Sequence, residues 1–488
     1  MRVVRRTAAF LLCAAAALPG SEEPPLPAGL GSGGESGSPR TEASDSSSPP
    51  LPSGLGGESS GAEPALPSGL GEPGRGASPG TDGDETAPPE RDPPDGWRLP
   101  AGLSGFLEGR AGARLRDDPG YDRTTLAELR LRTEYARGFG GLRGRVAFDL
   151  IGGKPTDESV DLRRGTGWFD LREAWVLARP GDSLDLKAGR MIATWGTGDL
   201  VFINDLFPKD WVSFLLGRDE EYLKAPLDGV RATYFNDLAN LDVVVGAPFA
   251  PDRFVDGSEV SFFLPGGATR LEDPDIPGGA DLSARLYRRF GSVEAAAYFY
   301  DGHWKSPGGF SADGRAIFPP LRVYGASLRG ASLGGISWFE TGYYDSLDDR
   351  SGEDPLVNNG EWRFLLGHER EVLPKLTVGA QWYVEWLQDY DAYARTLPPE
   401  FEPREEWRHV LTLRITRQLL RDDLTLSFFA FVSPTDEDFF LRPNASWKLT
   451  DRWRLSGGLN LFGGADKTTF YGQFEDNSSA YAALRASW

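Results

Sequence analysis

The chain has 488 residues, a formal net charge of −20 and a single cysteine, Cys13. One cysteine excludes disulfide frameworks and multi-cysteine metal sites, and the acidic balance disfavours nucleic acid as a partner. After the first twenty residues no run of 18 apolar residues occurs, so the sequence does not predict a transmembrane helix.

The first 96 residues are predicted to lie outside the folded part of the chain. Residues 1–20 combine a basic head with an apolar run and small residues, which is typical of a secretory signal peptide. Residues 21–96 are rich in Pro, Gly, Ser and acidic residues and contain no aromatic residue. Such a segment cannot bury enough apolar surface to offset its ordering entropy, so we expect a disordered acidic arm. The role of its Leu-Pro-x-Gly-Leu repeats is left open.

From residue 97 to the C-terminus, apolar and polar residues alternate in runs long enough for tilted strands to cross a bilayer. In 126–135, for example, Ala127, Leu129 and Leu131 share one face and charged residues take the other. About 18 such runs occur, joined alternately by short turns and longer loops, as in outer-membrane barrels. The sequence therefore predicts an all-β fold over residues 97–488, a transmembrane antiparallel β-barrel of 16–18 strands. An even strand number would place the arm and the C-terminus on the periplasmic side.

The connection 194–227 is predicted to fold into the mouth of this barrel and narrow it. Its segment from Leu200 to Phe207 is too apolar to lie in water, and its end is highly charged. Long loops that carry their own apolar packing are usually functional. A surface loop with one short buried helix is the alternative. The residues assigned to the constriction are Asp199, Asp205, Asp210, Arg218, Asp219, Glu220, Glu221 and Lys224.

Cationic side chains are expected on the inner faces of the strands around this loop. The set is Arg130, Arg132, Arg143, Arg145, Lys187, Arg231 and Arg285. A basic wall that faces an acidic loop creates a transverse field across a narrow passage, although any water-filled lumen is lined with charges. At the base of the loop, pairing through the turn 179–183 places Glu173 opposite Arg190. Because a charged pair is costly in lipid, we expect a bulge near Gly189 that turns both inward, where they would hold the loop stem.

The last strand ends in Trp488, after Ala482, Leu484 and Ala486 on one face. A final strand that ends in an aromatic residue resembles the terminal signature of Gram-negative outer-membrane porins. The segment 189–196, followed by Asn-Asp-x-x-Pro-x-Asp at 204–210, and the segment 440–453 resemble a poorly characterised porin-like branch. The resemblance covers residues 99–488. It implies a barrel in the bacterial outer membrane.

No catalytic or cofactor-binding pattern accompanies the barrel. His303, His368 and His409 lack metal-ligand spacing, and no nucleophile elbow or phosphate-binding loop is present. The favoured interpretation is therefore a non-enzymatic channel for passive diffusion of small solutes, with outer-membrane lipid around it and no cofactor or metal. The alternative is a structural sheath or anchor for a periplasmic or extracellular partner, such as a cytochrome or an envelope polymer. A lumen blocked by the loop favours the channel and a wide open lumen favours the sheath. The solute, the ion selectivity and the oligomeric state, a homo-oligomer included, are left open.

Overall fold

The structure is a computed structural model that describes residues 100–154, 159–264, 268–272, 274–398 and 403–488. The predicted signal peptide and the acidic arm lie outside the described residues. Eighteen strands form one antiparallel sheet. They are β1 (Leu103–Arg114), β2 (Thr124–Phe139), β3 (Leu142–Lys154), β4 (Phe169–Gly181), β5 (Leu184–Met191), β6 (Leu227–Tyr234), β7 (Asn240–Gly246), β8 (Asp281–Phe290), β9 (Val293–His303), β12 (Pro320–Ser332), β13 (Gly335–Ser346), β14 (Glu361–Leu373), β15 (Leu376–Leu387), β16 (Trp407–Leu419), β17 (Leu424–Ser433), β18 (Asp438–Lys448), β19 (Trp453–Gly464) and β20 (Ser479–Ser487).

The sheet closes on itself, because β1 pairs with β2 on one side and with β20 on the other. Every barrel strand thus has two neighbours, and no edge is left with unpaired backbone groups. The connections alternate as predicted: turns such as 140–141 and 182–183 contain two residues, whereas 192–226 and 247–280 are long. The predicted closed 18-stranded antiparallel barrel is confirmed.

The outer surface of the barrel is apolar. Large aliphatic and aromatic side chains on one face of successive strands are about half exposed, including Leu129, Val176, Leu286, Leu328 and Trp382. An apolar outer band is what a strand barrel needs in order to sit in hydrocarbon. The alternation of the sequence therefore reflects a barrel whose outer face meets lipid and whose inner face carries the polar residues.

Apolar residues also fill much of the interior, which alternation alone does not predict. The largest buried cluster combines inner-face residues such as Leu321, Leu365 and Phe440 with residues from long loops, among them Ile203 and Phe214. The hydrophobic core is therefore located in the lumen, between the wall and the chain segments folded into it.

A β-bulge interrupts the pairing of β3 with β4. Ala147 pairs with Glu173, and Phe148 pairs with Leu171, so Arg172 is the extra residue. The bulge reverses the facing of β4, since an extra residue shifts a period of two by one position. Glu173 consequently lies on the lumen face with Trp175, whereas simple alternation placed it among lipid-facing residues.

In the part of the chain that the structure describes, helical structure is confined to the connections. Helix α1 (Trp211–Leu216) and a 3-10 helix (Glu220–Leu223) lie between β5 and β6. Helix α2 (Tyr390–Thr396) lies between β15 and β16, a second 3-10 helix (Gly472–Asn477) precedes β20, and the two-residue strands β10 (Gly309–Phe310) and β11 (Ala316–Ile317) pair with each other. Among the described residues, no helix is both long and apolar enough to cross a membrane.

Candidate channel constriction

Residues 192–226, between β5 and β6, fold into the lumen; they are called the inserted loop below. Ile203 and Phe207 are buried, and Ile203 belongs to the same cluster as Tyr344 and Leu365 of the inner wall. Tyr344 donates a hydrogen bond to the carbonyl oxygen of Ile203. The apolar segment has thus found a dry surface on the inner wall, as expected from its composition. The alternative of a surface loop is wrong.

Helix α1 is held inside the barrel at both ends. The Asp210 carboxylate accepts a hydrogen bond from the backbone N–H of Ser213 at 2.7 Å and caps the helix. Gly217 ends it with φ of 84°, in the left-handed region that glycine adopts without strain. A Cβ at Gly217 would also lie 2.7 Å from the Tyr481 ring. Between the caps, the Phe214 ring packs edge-on against Phe440 at 5.6 Å between centroids.

Glu340 of β13 fixes the first half of the inserted loop. Its carboxylate accepts hydrogen bonds from the backbone N–H and the hydroxyl of Thr197 at 2.7 and 2.8 Å. It also accepts bonds from the backbone N–H and the side-chain amide of Asn204 at 2.8 and 3.0 Å. Glu340 is 0% exposed. Sequence reasoning did not assign this residue, although a carboxylate on the inner face of a strand is the available signal.

Gln381 of β15 makes a reciprocal pair with the backbone of Asp199. Its side-chain oxygen accepts from the N–H of Asp199, and its amide donates to the carbonyl oxygen, both at 2.8 Å. The Asp199 carboxylate is bound by Arg414 of β16, with the second guanidinium nitrogen at 2.9 Å. Two neighbouring strands therefore fix one residue of the loop through both backbone and side chain.

The charged end of the inserted loop binds β1 and β20, and it returns to Arg414, which also holds Asp199. Asp219 accepts from Arg110 of β1 and from Arg485 of β20. Glu220 lies 3.3 Å from Arg414, and Glu221 lies 3.3 Å from Arg485. Since β1, β16 and β20 lie far from the loop in sequence, only barrel closure reveals these partners. The loop thus spans the lumen.

The loop carboxylates that bind arginines of the wall remain in contact with water, whereas the arginine side chains are largely covered. The side chains of Asp199, Asp219 and Glu220 are 35, 37 and 34% exposed, whereas those of Arg110 and Arg414 are 1 and 19% exposed. One surface of the inserted loop therefore presents negative oxygen atoms to solvent. The guanidinium groups lie behind them in the wall.

These carboxyl groups differ in how readily they take up a proton. Burial raises the pKa of Asp199 and outweighs the effect of Arg414. Burial likewise raises the pKa of Glu221. Burial also acts on Asp219, but the guanidinium groups of Arg110 and Arg485 together outweigh it and hold the pKa of that carboxyl below its usual value. On acidification Asp199 and Glu221 should lose their charge before Asp219.

The other assigned residues of the loop make contacts within the loop or with the wall beside its stem. Asp205 binds Lys209 at 3.0 Å and is almost fully buried, as is Asp210. Arg218 donates to Glu128 of β2 at 2.6 Å. Lys224 contributes its carbonyl oxygen to the buried guanidinium of Arg172, and burial lowers the pKa of its ammonium group. These residues brace the loop and its stem.

All seven cations assigned to the basic wall lie on the lumen face, but acids of neighbouring strands are interleaved with them. Arg130 binds Glu128 and Asp149, and Arg132 binds Asp149 and Glu134. Three more of these cations are paired with acids: Arg145 with Glu134 and Glu173, Arg231 with Asp242, and Arg285 with Glu294. Lys187 lies over the Trp175 ring. Arg143 is exposed. This part of the wall is therefore a mixed ionic network.

The expected loop-stem pair of Glu173 and Arg190 does not form. Arg145 binds Glu173 at 2.7 Å, whereas Arg190 pairs with Asp228 of β6 at 2.8 Å and donates to the carbonyl oxygen of Leu171. Arg190 lies opposite Ala174 and not Glu173, because the pairing of β4 with β5 shifts between Ala178 and Gly181. Arg190 still braces the stem, through a different acid.

A second connection, residues 247–280, also enters the lumen. Val260 and Phe262 belong to the large buried cluster. Arg253 binds Asp170 of β4 through two nitrogens, at 2.7 and 2.9 Å, and also contacts Asp210 at 3.2 Å. The Asp252 carboxylate accepts from the backbone N–H of Lys209 at 2.7 Å. The two loops are thus fastened to each other.

Comparisons with known proteins find similarity in architecture only. No protein-family model and no curated protein matches the sequence. A mutant of Rh. blastica porin is similar at 8% identity and a TM-score of 0.36, over 79% of this chain and 99% of that chain. The outer membrane channel DcaP of Acinetobacter baumannii is similar at 12% identity and a TM-score of 0.39, over 80% and 99%.

Proposed function

We propose that this protein is a non-enzymatic channel of the bacterial outer membrane through which small hydrophilic solutes diffuse passively. One observation carries the proposal. The inserted loop crosses the lumen from Glu340 of β13 to Arg110 of β1, on the other side of the barrel, and leaves the carboxylates of Asp199, Asp219 and Glu220 in contact with water. A charged ring in a narrowed aqueous passage is the arrangement by which pores select small solutes.

The exterior supports a membrane location. The apolar outer face of the strands would lie in hydrocarbon, and the closed sheet leaves no strand edge exposed to lipid. Trp447 and Trp453 flank a short turn, and Trp488 ends the chain at the same rim. Aromatic rings at this level are favoured at a membrane interface.

The occupied lumen disfavours the alternative of a sheath. A sheath needs an open interior to enclose a partner, whereas two long connections of this chain fill the described part of the interior. Both are fastened by buried polar contacts, so emptying the lumen would leave buried polar groups unpaired. That is costly for groups such as Glu340 and Arg253.

The charges facing water support a preference for cations at low ionic strength. The carboxylates of the loop are about one-third exposed and their arginine partners much less, so a passing ion approaches oxygen atoms first. The preference should be moderate, because each carboxylate is paired and because salt screens exposed charges.

The proposal is tested by adding the purified, heat-modifiable barrel to a planar lipid bilayer. Discrete current steps of uniform size are expected, with a zero-current potential in a salt gradient that has the sign of cation preference. A barrel that inserts fully into vesicles, as judged by protease protection, but gives no steps would overturn the channel. Steps with a clear anion preference would overturn the role assigned to the carboxylates.

A further inference from the structure

Four arginines lie on the outer face of the barrel, close to the short turns, and are called the outer arginine belt below. Each shares this face with a half-exposed leucine of its own strand: Arg137 with Leu129 on β2, Arg288 with Leu286 on β8, Arg370 with Leu366 on β14 and Arg417 with Leu411 on β16. Each lies two or three residues before the end of its strand, where a short turn follows. At this level a long cationic side chain reaches the membrane interface, where its cost on a lipid-facing position is small.

The belt arginines have neutral neighbours within the chain. The guanidinium groups of Arg137 and Arg288 lie over the ring of the phenylalanine two residues further along their strands, at 4.9 and 5.1 Å from the ring centroid. Arg417 donates a hydrogen bond to the carbonyl oxygen of Pro374 at 2.7 Å. None of the four forms an ion pair with a carboxylate in the part of the chain that the structure describes. Their charge is therefore available to a partner outside the chain.

The opposite rim of the barrel is built differently. On the outward-facing strand positions that the structure describes, acids occur only near the long loops, and an arginine binds each of them at 2.8 Å. The pairs are Asp228 with Arg190, Asp301 with Arg322 and Asp345 with Arg350. Outward charge on the strands is thus balanced at the long-loop rim and positive at the short-turn rim. This asymmetry indicates that the two rims meet surfaces of different charge.

The belt runs around the barrel and does not mark one side of it. In order around the closed sheet, the steps from β2 to β8, β14, β16 and back to β2 are six, four, two and six strands. A protein partner or a second copy of the chain would contact one sector of the wall, whereas lipid contacts every sector. The planar guanidinium group matches the oxygen atoms of a phosphate. Position, spacing and chemistry together fit phospholipid headgroups.

We propose that the outer arginine belt binds the phosphate groups of anionic phospholipids in the leaflet that meets the short turns. A basic residue near an anionic membrane surface strengthens association about fivefold. Four of them around the circumference fix the depth of the barrel in that leaflet. The inference rests on the outer-membrane location of the barrel and does not depend on conduction, so its failure leaves the proposed channel standing.

Native mass spectrometry of the processed full-length chain in a neutral detergent tests the belt, because it counts bound lipids one by one. The probes are phosphatidylglycerol, which is anionic, and phosphatidylcholine, which carries no net charge. The belt variant combines Arg137→Gln, Arg288→Gln, Arg370→Gln and Arg417→Gln. The matched control removes four arginines at the long-loop end, with Arg163→Gln, Arg315→Gln, Arg322→Gln and Arg350→Gln. Heat modification verifies that each variant is folded.

We expect the first four binding events of the wild type to favour phosphatidylglycerol about fivefold, and the ratio should fall toward one at high salt. The belt variant should bind both lipids equally, whereas the control should keep the preference. Arg137→Gln with Arg288→Gln, a smaller change, should keep the preference for two of the four events. Equal binding of both lipids by the wild type, or an equal loss in the control, would overturn the proposal. Displacement of phosphatidylglycerol by the same concentration of inorganic phosphate would also overturn it, since the belt would then be a site for a soluble anion.

Discussion

Glu340 connects the inner wall to the inserted loop through one carboxylate. Four donors of Thr197 and Asn204 converge on it in a site without exposure to water. A Glu340→Ala variant leaves these donors without an acceptor, so we expect the barrel to lose at least about 2 kcal/mol of stability. Glu340→Gln keeps one acceptor oxygen, so the stability of this variant should lie between that of the wild type and that of Glu340→Ala.

The midpoint of heat modification in gel electrophoresis measures the loss. Glu369→Ala serves as the control. Glu369 lies on the lumen face of the neighbouring strand β14, but its carboxylate makes no hydrogen bond with a described residue of the inserted loop. Equal midpoints for Glu340→Ala and Glu369→Ala would show that the carboxylate does not hold the loop.

The pKa shifts at the constriction predict a pH-dependent selectivity. Burial raises the pKa values of Asp199 and Glu221, so both carboxyls become neutral at a higher pH than ordinary carboxyl groups, while Asp219 stays charged. Cation preference should therefore decline as the pH falls toward the ordinary carboxyl range. A raised pKa means that the folded state binds the proton more tightly than the unfolded state. The contribution of these two groups to stability thus grows as the pH falls, and their protonation does not unfold the loop.

Zero-current potentials in a salt gradient, measured at a series of pH values from about 7 to about 4, test this prediction. That pH range covers both raised and ordinary pKa values of carboxyl groups. Asp199→Asn should remove part of the early decline and leave the barrel intact. A decline of identical position and size in the wild type and in Asp199→Asn would contradict the role assigned to Asp199.

At the residue scale, alternation predicted which side chains face the lumen but not which ones meet. Arg130 and Arg132 both lie on the lumen face, because their strand alternates regularly. The partners of Asp219 could not be inferred, because Arg110 and Arg485 come together only through the pairing of the first and last strands. The Glu173–Arg190 pair failed because the register of β4 against β5 shifts near their turn, between Ala178 and Gly181.

Among the elements, the inserted loop and the connection 247–280 form one unit, because Arg253 joins them. Its guanidinium binds Asp170 of the wall and Asp210 of the inserted loop, and all three side chains are buried. Arg253→Gln removes this cation from two buried carboxylates, of which Asp170 keeps only Arg172 at 3.7 Å, so the change should cost about 3–5 kcal/mol. Arg270→Gln in the same loop is the control, because Arg270 is largely exposed and lies 3.9 Å from Asp256.

Limited proteolysis and heat modification of both variants measure the effect. We expect Arg253→Gln to expose sites in both loops together, and Arg270→Gln to behave as wild type. Cleavage confined to residues 247–280 in Arg253→Gln would show that the inserted loop keeps its place independently.

The charged end of the inserted loop should set ion selectivity. Asp219→Lys, Glu220→Lys and Glu221→Lys together reverse the sign of the groups that face water, so the channel should shift toward anions, most clearly at low salt. The control carries the same charge change on exposed outer loops, at Asp117, Asp313 and Glu353. A similar shift in both variants would indicate that overall charge, and not the constriction, decides selectivity.

At the element scale, the strands were the most predictable part of the chain. Their period of two and the short turns between them follow directly from the need to separate lipid from lumen. The long loops were less predictable. Apolar residues from Leu200 to Phe207 indicated insertion of one loop, whereas the dispersed apolar residues of 247–280, such as Val260 and Phe262, did not indicate the second.

At the scale of the whole molecule, an apolar exterior encloses a lumen whose core is supplied by the chain's own loops. This arrangement reconciles a membrane barrel with buried apolar clusters in its interior. It also divides the interior into an apolar packed region and a polar region lined by ionic networks. Solute passage would depend on the polar region, and the inserted loop is the element that limits it.

The most direct test is the single-channel conductance of a variant in which residues 199–221 are replaced by a short Gly-Ser linker. Removing this part of the loop takes away its contacts with both sides of the lumen. We predict that the conductance rises severalfold while the barrel remains heat-modifiable and inserts into bilayers. An unchanged conductance in a barrel that still inserts would place the loop outside the conducting path and contradict the constriction.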